Sequence, residues 1–343
     1  MITILILGAN GFIGSHLSET ILAKKDWEIY AMDLSQDKIS ACLSHPRFHF
    51  TEGDMTKQKE WIREHIQKCD VVLPLVAVAT PALYVQDPLR VFELDFEANL
   101  DIVRQCAEMK KRIVFPSTSE VYGMCPDKEF DEDSSHLVTG PISKERWIYS
   151  TSKQLMDRVI YAYGNHKGLD FSLFRPFNWY GPRLDNVFNP KPGGSRVLTQ
   201  FIGNILRGED INLVNGGAQQ RCMTYIDDGI DALMRIIENK NDAARNKIFN
   251  IGNPTENISI RQLAEMLVST IGEHYPKYAD KAKAVNLVDI DAKAYYGAGY
   301  QDVSLRVPSI RHIREQLQWE PTTDIRDGLK KTLDFYLGSI LKH

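Results

Sequence analysis

Ile2-Thr3-Ile4-Leu5-Ile6-Leu7-Gly8-Ala9-Asn10-Gly11-Phe12-Ile13-Gly14 opens the chain. The apolar run reads as a buried strand, and the three glycines turn it directly into a helix. Glycine permits the tight turn and lets backbone approach a pyrophosphate closely, and the helix start offers free N–H groups to the anion. Asp33 ends the next strand-like run, where a carboxylate accepts from adenosine ribose hydroxyls and repels a 2′-phosphate. A glycine triplet alone is often an ordinary turn. Strand before, helix after and Asp33 beyond make this one a dinucleotide site, with NAD favoured over NADP. Gly8, Asn10, Gly11, Phe12, Ile13, Gly14 and Asp33 form its first set.

Working outward, short apolar runs alternate with longer amphipathic ones. Strands are expected at Ile2–Leu7, Glu28–Met32, Phe48–Glu52, Val71–Leu75, Ile113–Ser117 and Phe171–Pro176. Helices are expected at Ile13–Ala23, Lys57–Gln67, Val91–Met109 and Ile148–Tyr163. Parallel neighbours need such crossovers, so the fold class is α/β, a Rossmann-type doubly wound parallel sheet with ligands at the strands' carboxyl ends. Asp54 with Met55 ends the third strand, where a carboxylate can bond the adenine amino group. Ala77–Pro81, with Ala79, follows the fourth strand with small side chains suited to a cofactor cleft, and Tyr84 lies just beyond.

The rhythm changes after Pro176. Asn178–Ser195 carries Gly181, Pro182, Pro190, Pro192, Gly193 and Gly194 and reads as a long functional loop. Helices near Val197–Arg207, Asp227–Glu238, Ile260–Thr270 and Ile325–Leu341, with strands near Ile211–Val214 and Ile248–Ile251, suggest a smaller C-terminal substrate-binding lobe. The expected division is 1–176 and 177–343, with some later segments returning to the sheet.

With 343 residues, 43% apolar and 25% charged, the chain has the make-up of an ordinary globular protein. A net charge of -4 with no basic stretch argues against nucleic acid or a membrane surface as partner. The apolar N-terminal run lacks a basic leader, and no run approaches the ~20 residues of a membrane span. Cys42, Cys69, Cys106, Cys125 and Cys222 are scattered, without a CxxC pair, so reduced thiols, a cytoplasmic location and no metal are expected.

Tyr149-Ser150-Thr151-Ser152-Lys153 places a phenol and an ammonium four apart on one helix face. Such a pair is usually solvated surface. It gains meaning from Ser117-Thr118-Ser119, which ends the fifth strand about thirty residues earlier with hydroxyls that can hold a substrate hydroxyl. An adjacent positive charge lowers a phenol's pKa, which makes Tyr149 a general base near neutral pH.

Gly8–Gly14, Ser117–Gly123 and Tyr149–Lys153 together resemble the extended short-chain dehydrogenases that act on nucleotide-sugars. Phe115–Cys125, Arg146–Ser150, Phe174–Trp179 and Tyr295–Ser309 resemble more narrowly the UDP-glucuronic acid decarboxylase domains of the bacterial polymyxin-resistance (lipid A aminoarabinose) enzymes. That resemblance implies that Thr118, Ser119, Tyr149 and Lys153 oxidise the sugar C4 hydroxyl with NAD. It implies that Glu120 and Arg306 manage loss of the C6 carboxylate, the arginine by orientation and charge because it stays protonated. It further implies that Arg146, Arg196 and Arg221 counter the substrate's charges, that Asn178 holds the diphosphate and Tyr300 the phosphate or sugar side, and that the protein is a homodimer through Val91–Met109 and Ile148–Tyr163.

Two departures matter. Ala218 and Gln220 stand where these relatives carry basic residues in the uridine-binding segment Asn212–Arg221, and the chain begins directly at the dinucleotide fold, which suggests a stand-alone enzyme. Ser119-Glu120 replaces the Asp-Glu of the 4,6-dehydratases, and Glu120 the small residue usual in C4 epimerases. Epimerase and dehydratase readings stay open beside the decarboxylase, and a non-catalytic NAD-binding regulator is the alternative of another class.

Overall fold

The structure is a computed structural model that describes residues 2–189, 195–292, 295, 301, 303 and 305–338. Its centre is a seven-stranded, all-parallel sheet in the order β3-β2-β1-β4-β5-β6-β11. The first six strands are β1 (Thr3–Leu7), β2 (Glu28–Asp33), β3 (Phe48–Glu52), β4 (Val71–Pro74), β5 (Arg112–Pro116) and β6 (Phe171–Pro176). Their apolar runs are buried from both sides, as a doubly wound sheet requires. Chain order reverses between β1 and β4, and the glycine turn after β1 sits at that switch point.

The crossovers are α1 (Phe12–Lys24), α2 (Lys59–Lys68), α3 (Pro81–Gln86), α4 (Pro88–Phe92), α5 (Asn99–Met109) and α6 (Trp147–Lys167). The single helix expected over Val91–Met109 is interrupted. A π-helical turn, Glu93–Ala98, separates α4 from α5. The side-chain amide of Asn99 donates to the Leu94 carbonyl at 2.9 Å within this turn, and Asp95 is directed inward with no exposure.

Beyond Pro176 the chain forms β7 (Trp179–Tyr180), α7 (Val197–Arg207), β8 (Ile211–Val214), β9 (Gln220–Cys222), β10 (Thr224–Tyr225) and α8 (Ile226–Glu238). There follow β11 (Lys247–Ile251), β12 (Asn257–Ser259), α9 (Ile260–His274), α10 (Pro276–Ala284), β13 (Leu287–Ile290), α11 (Arg311–Leu317) and α12 (Ile325–Leu333). Strand β11 pairs with β6 and closes the main sheet, and α8 packs on α1. The pairs β7–β10, β9–β12 and β8–β13 stand apart from that sheet. Part of the expected long loop is thus β7, because Thr224 and Tyr225 supply a partner edge. The last α-helix ends at Leu333 and passes into a π-helical turn, Asp334–Gly338; the Leu341 end that periodicity suggests lies outside the described residues.

A buried polar chain runs under the carboxyl ends of β5, β6 and β11. Ser117 donates to Asp157 at 2.7 Å, Arg175 donates to Asp157 at 3.1 Å and to the Tyr122 hydroxyl at 2.8 Å, and Tyr122 donates to Asn250 at 2.9 Å. Asn250 in turn donates to the carbonyls of Phe130 and Ser309. Phe130 also pairs with the backbone of Val307 and Ser309. These bonds hold the 306–309 segment over the sheet and so deliver Arg306 to the site.

Candidate active site

Sterics shape the glycine turn. Gly8 adopts φ +88°, where a side chain is strained, and its amide donates to the Met32 carbonyl at 2.8 Å. A Cβ on Gly14 would overlap the Gly8 carbonyl oxygen and stand 2.8 Å from Ala9 Cα, so α1 can start this close to β1 only with glycine there. Gly11 caps α1 without a side-chain acceptor, and Phe12 and Ile13 form the first turn. The side chain of Asn10 ties the turn to the loop after β2: it donates to Ser35 and Asp37 and accepts from the Lys38 amide. Asp33 accepts from the amides of Asn10 and Leu34, and burial raises its carboxyl pKa. An uncapped helix start, glycine-limited backbone and a strand-end carboxylate fit a dinucleotide. Replacing Gly14 with valine is expected to abolish NAD retention while the chain still folds, read as loss of cofactor on desalting and of its stabilising effect in thermal unfolding.

Asp54 spends its carboxylate locally, accepting from the amide and hydroxyl of Thr56. Met55 is buried in the core against the sheet. Ala79 is exposed. Tyr84 is buried and stacks on Tyr149, ring centroids 4.5 Å apart and planes within 5°.

The carboxyl end of β5 and the first turns of α6 bring the expected reacting groups together. Thr118, Ser119, Tyr149 and Lys153 are all buried. Thr118 accepts from the Glu120 amide at 3.2 Å, and Thr118 and Tyr84 lie near enough to the Tyr149 hydroxyl to favour its ionisation. Lys153 lies one turn beyond Tyr149, donates to the Pro116 carbonyl at 3.2 Å, and has Asp95 at 3.7 Å. The phenol's pKa is raised, first by burial and then by the Asp95 charge, so the lysine does not lower it below its ordinary value here. This differs from the sequence expectation because burial disfavours the phenolate most, and Asp95, whose presence the helix pattern does not announce, opposes it further.

Glu120 sits between two guanidiniums. One carboxylate oxygen pairs with Arg306, the other with Arg146 at 2.5 Å. Burial alone pushes the Glu120 carboxyl up, but Arg306 and Arg146 outweigh it and hold it at about 2, with Arg221 adding a smaller pull. Arg146 is buried, and it also donates to the Gln301 carbonyl and lies over the Trp147 ring. Arg221 donates to the carbonyls of Gln220 and Val303. Two of the expected arginines therefore pair with one carboxylate, and Arg221 acts on it through its charge alone.

The remaining expected residues fall elsewhere. Arg196 pairs with Asp185 at 2.6 Å, and both act on Lys38, in the loop that Asn10 tethers, so it is set apart from Glu120. Asn178, in a left-handed conformation, donates its amide to the Cys222 carbonyl at 3.2 Å. Tyr300 lies outside the described residues. Asp95, Asp157, Arg175 and Asn250 are site-supporting residues that the motifs did not reveal. The available signal was the four-residue step from Lys153 for Asp157, whereas Asp95 is one of several acids, Glu93, Glu97 and Asp101 among them, in its stretch and does not stand out.

The model of a family described as "NAD dependent epimerase/dehydratase family" matches residues 4–252. The crystal structure of PbgP3 protein from Burkholderia pseudomallei is 54% identical, with 99% of this chain and 97% of that chain covered and a TM-score of 0.89. UDP-glucuronic acid 4-epimerase from Bacillus cereus, in complex with UDP-glucuronic acid and NAD, is 23% identical with a TM-score of 0.80, covering 98% of this chain and 99% of that one. UDP-glucose 4-epimerase from Thermotoga maritima, with UDP-glucose, is 22% identical with a TM-score of 0.80 over 98% of this chain and 99% of that one. The last two share the fold.

Proposed function

The chain belongs to the NAD-dependent epimerase/dehydratase family, and from that premise we propose that it oxidises C4 of UDP-glucuronic acid and then releases C6 as carbon dioxide. The observation that carries the reading is the pairing of one carboxylate, Glu120, with both Arg306 and Arg146, with Arg221 near by. Guanidiniums gathered in this way suit a substrate that brings its own carboxylate, because planar guanidiniums grip such a group in two places.

The chain's own groups divide the work. NAD supplies the hydride acceptor. Thr118 and Ser119 hold the C4 hydroxyl, and Tyr149 takes its proton while Lys153 supports the phenolate. The resulting ketone is β to C6, so the C5–C6 bond breaks with its electron pair drawn onto the ketone oxygen. C5 then accepts one proton. Oxidation releases one proton and decarboxylation consumes one, so the chemistry needs no net acid. Arg306 and Arg146 orient the carboxylate, and Glu120, anionic throughout, holds the two guanidiniums in place.

The product is UDP-4-keto-pentose with NADH, or UDP-xylose when NADH returns its hydride to C4 and the oxygen takes up one further proton from solvent before release. Incubation with UDP-glucuronic acid and NAD, following NADH absorbance and identifying the sugar by NMR, tests the reading. A pentose product supports it; an intact hexuronate epimerised at C4, or turnover only of neutral hexoses, rejects it. We further infer a homodimer through α4–α5 and α6, where Leu89, Leu155 and Tyr161 are exposed, and a cytoplasmic location, consistent with five unpaired cysteines. Among the described residues no helix is long and apolar enough to cross a membrane.

A further inference from the structure

We propose that Arg183, clasped from α1 by Glu19 and by a neutral His16, is a positioning residue for NAD: it fixes the loop after β2, which receives the adenosine ribose. The inference concerns the cofactor alone and stands whichever nucleotide-sugar is the substrate.

The loop after β2 is anchored on two sides. On one side the Asn10 side chain bonds Ser35, Asp37 and the Lys38 amide. On the other the Lys38 carbonyl accepts from Arg183 Nη1 at 3.0 Å, across a separation of 145 residues. The far end of the chain thus completes the cofactor side. Glu19 grips the guanidinium with both oxygens, one accepting from Nη1 at 2.5 Å and the other from Nη2 at 2.7 Å, the paired geometry that arginine favours. The Arg183 backbone is left-handed, at φ +63°, a strained state that persists where the surroundings over-determine it. A Cβ on Gly181 would stand 2.5 Å from Ile226 Cγ2, so the turn that delivers Arg183 lies directly against the start of α8.

His16 completes the clasp, and its partners dictate its charge. Nε2 is 2.9 Å from the Pro182 carbonyl, which can only accept, and Nδ1 is 3.1 Å from Arg183 Nη2, which can only donate. The neutral ring with its proton on Nε2 is the one form that satisfies both. A second proton would sit on Nδ1, face the guanidinium and break that bond. The charged groups facing the ring are Arg183 after β7, Glu19 on α1 and Asp227 at the start of α8. The Lys38 ammonium and the Cys42 thiol adjoin Arg183. Phe12 meets the ring edge-on at 5.4 Å. Burial, helped by Arg183, lowers the ring's pKa below 6.5 against the pull of the Pro182 carbonyl and the two carboxylates. The clasp is therefore complete above pH 6.5 and is lost as pH falls through that lowered value.

NAD affinity, measured by calorimetry on the full chain freed of bound cofactor, tests the assignment. Arg183→Met keeps the apolar stem and is expected to weaken NAD by about tenfold, the loss typical of one hydrogen bond to a charged group. His16→Leu should weaken it in the same direction. His16→Asn places an oxygen where Nδ1 was, so it should hold NAD as the native protein does near neutral pH. It should also lose the histidine's share of the weakening on going from about pH 7 to about pH 5, the window in which a histidine titrates. NAD itself carries no group that titrates there. A purely structural role would lower thermal stability and leave NAD affinity and its pH profile alone, and that result overturns the proposal. Equal weakening by His16→Asn and His16→Leu overturns it too. If Arg183→Met does not fold, Glu19→Gln replaces it, at a side chain 36% exposed, and unchanged NAD affinity there counts against the proposal in the same way. No turnover is needed, so failure of UDP-glucuronic acid as substrate rejects the proposed function without deciding the role of Arg183.

Discussion

Tyr149→Phe is expected to retain NAD and to lose C4 oxidation by about 10²–10⁴-fold, the range set by removing a general base. The ring is buried and stacked on Tyr84, so phenylalanine keeps the packing and removes only the hydroxyl that Thr118 and Tyr84 contact. No neighbour replaces it. Lys153 is bound to Asp95 and the Pro116 carbonyl, and Thr118 has no reason to ionise near neutral pH. Single-turnover formation of NADH from a nucleotide-sugar measures the effect directly. Oxidation at an undiminished rate would remove Tyr149 from the chemistry.

Glu120→Ala is expected to separate the two half-reactions. The substitution leaves untouched the glycine turn and Asp33, the groups that fit NAD, so NAD binding is expected to persist. Arg306 and Arg146, however, lose the carboxylate that sets their positions. Misplaced guanidiniums no longer orient C6, and release of carbon dioxide should fall by about 10²–10³-fold, comparable to losing one preorganised electrostatic group. Initial NADH formation should persist, because C4 lies on the Tyr149 side. Comparing the NADH burst with carbon dioxide evolution in the same sample reads both; equal losses in the two would contradict the assignment.

The acid–base behaviour of Glu120 has a definite sign. Its carboxyl is depressed from the ordinary 4.5 to about 2, so the ion-pair cluster contributes fully above about 4.5 and is lost only as pH falls towards 2. An acid limb in the activity profile between pH 5 and 9 therefore reports other groups, with Asp95, raised by burial to about 6, the nearest candidate.

Much of the fold is legible in the sequence because its determinants are local. The apolar run before Gly8, the glycine spacing and the regular alternation of short and long apolar segments each specify an element with its neighbours. β3 and β6 begin and end at the residues the pattern indicates. The break inside Val91–Met109 is not legible, because it depends on Asn99 bonding across a turn and on a distant ammonium that gives Asp95 somewhere to point. The same holds for the site. The YxxxK pair and the serine–threonine segment are short-range patterns that the parallel sheet necessarily brings to one edge. Which arginine meets which carboxylate is a long-range choice: Arg146 and Arg306 reach Glu120 from separations of 26 and 186 residues. Arg196, indistinguishable from them by composition, is instead held by nearby Asp185.

The central claim is that oxidation at C4 leads to loss of C6. UDP-glucuronic acid labelled with ¹³C at C6 tests it most directly, with NAD present and the label followed in gas and sugar. The account predicts one labelled carbon dioxide for each sugar consumed and a pentose without label. Label retained in a hexuronate, with C4 inverted or unchanged, would contradict it.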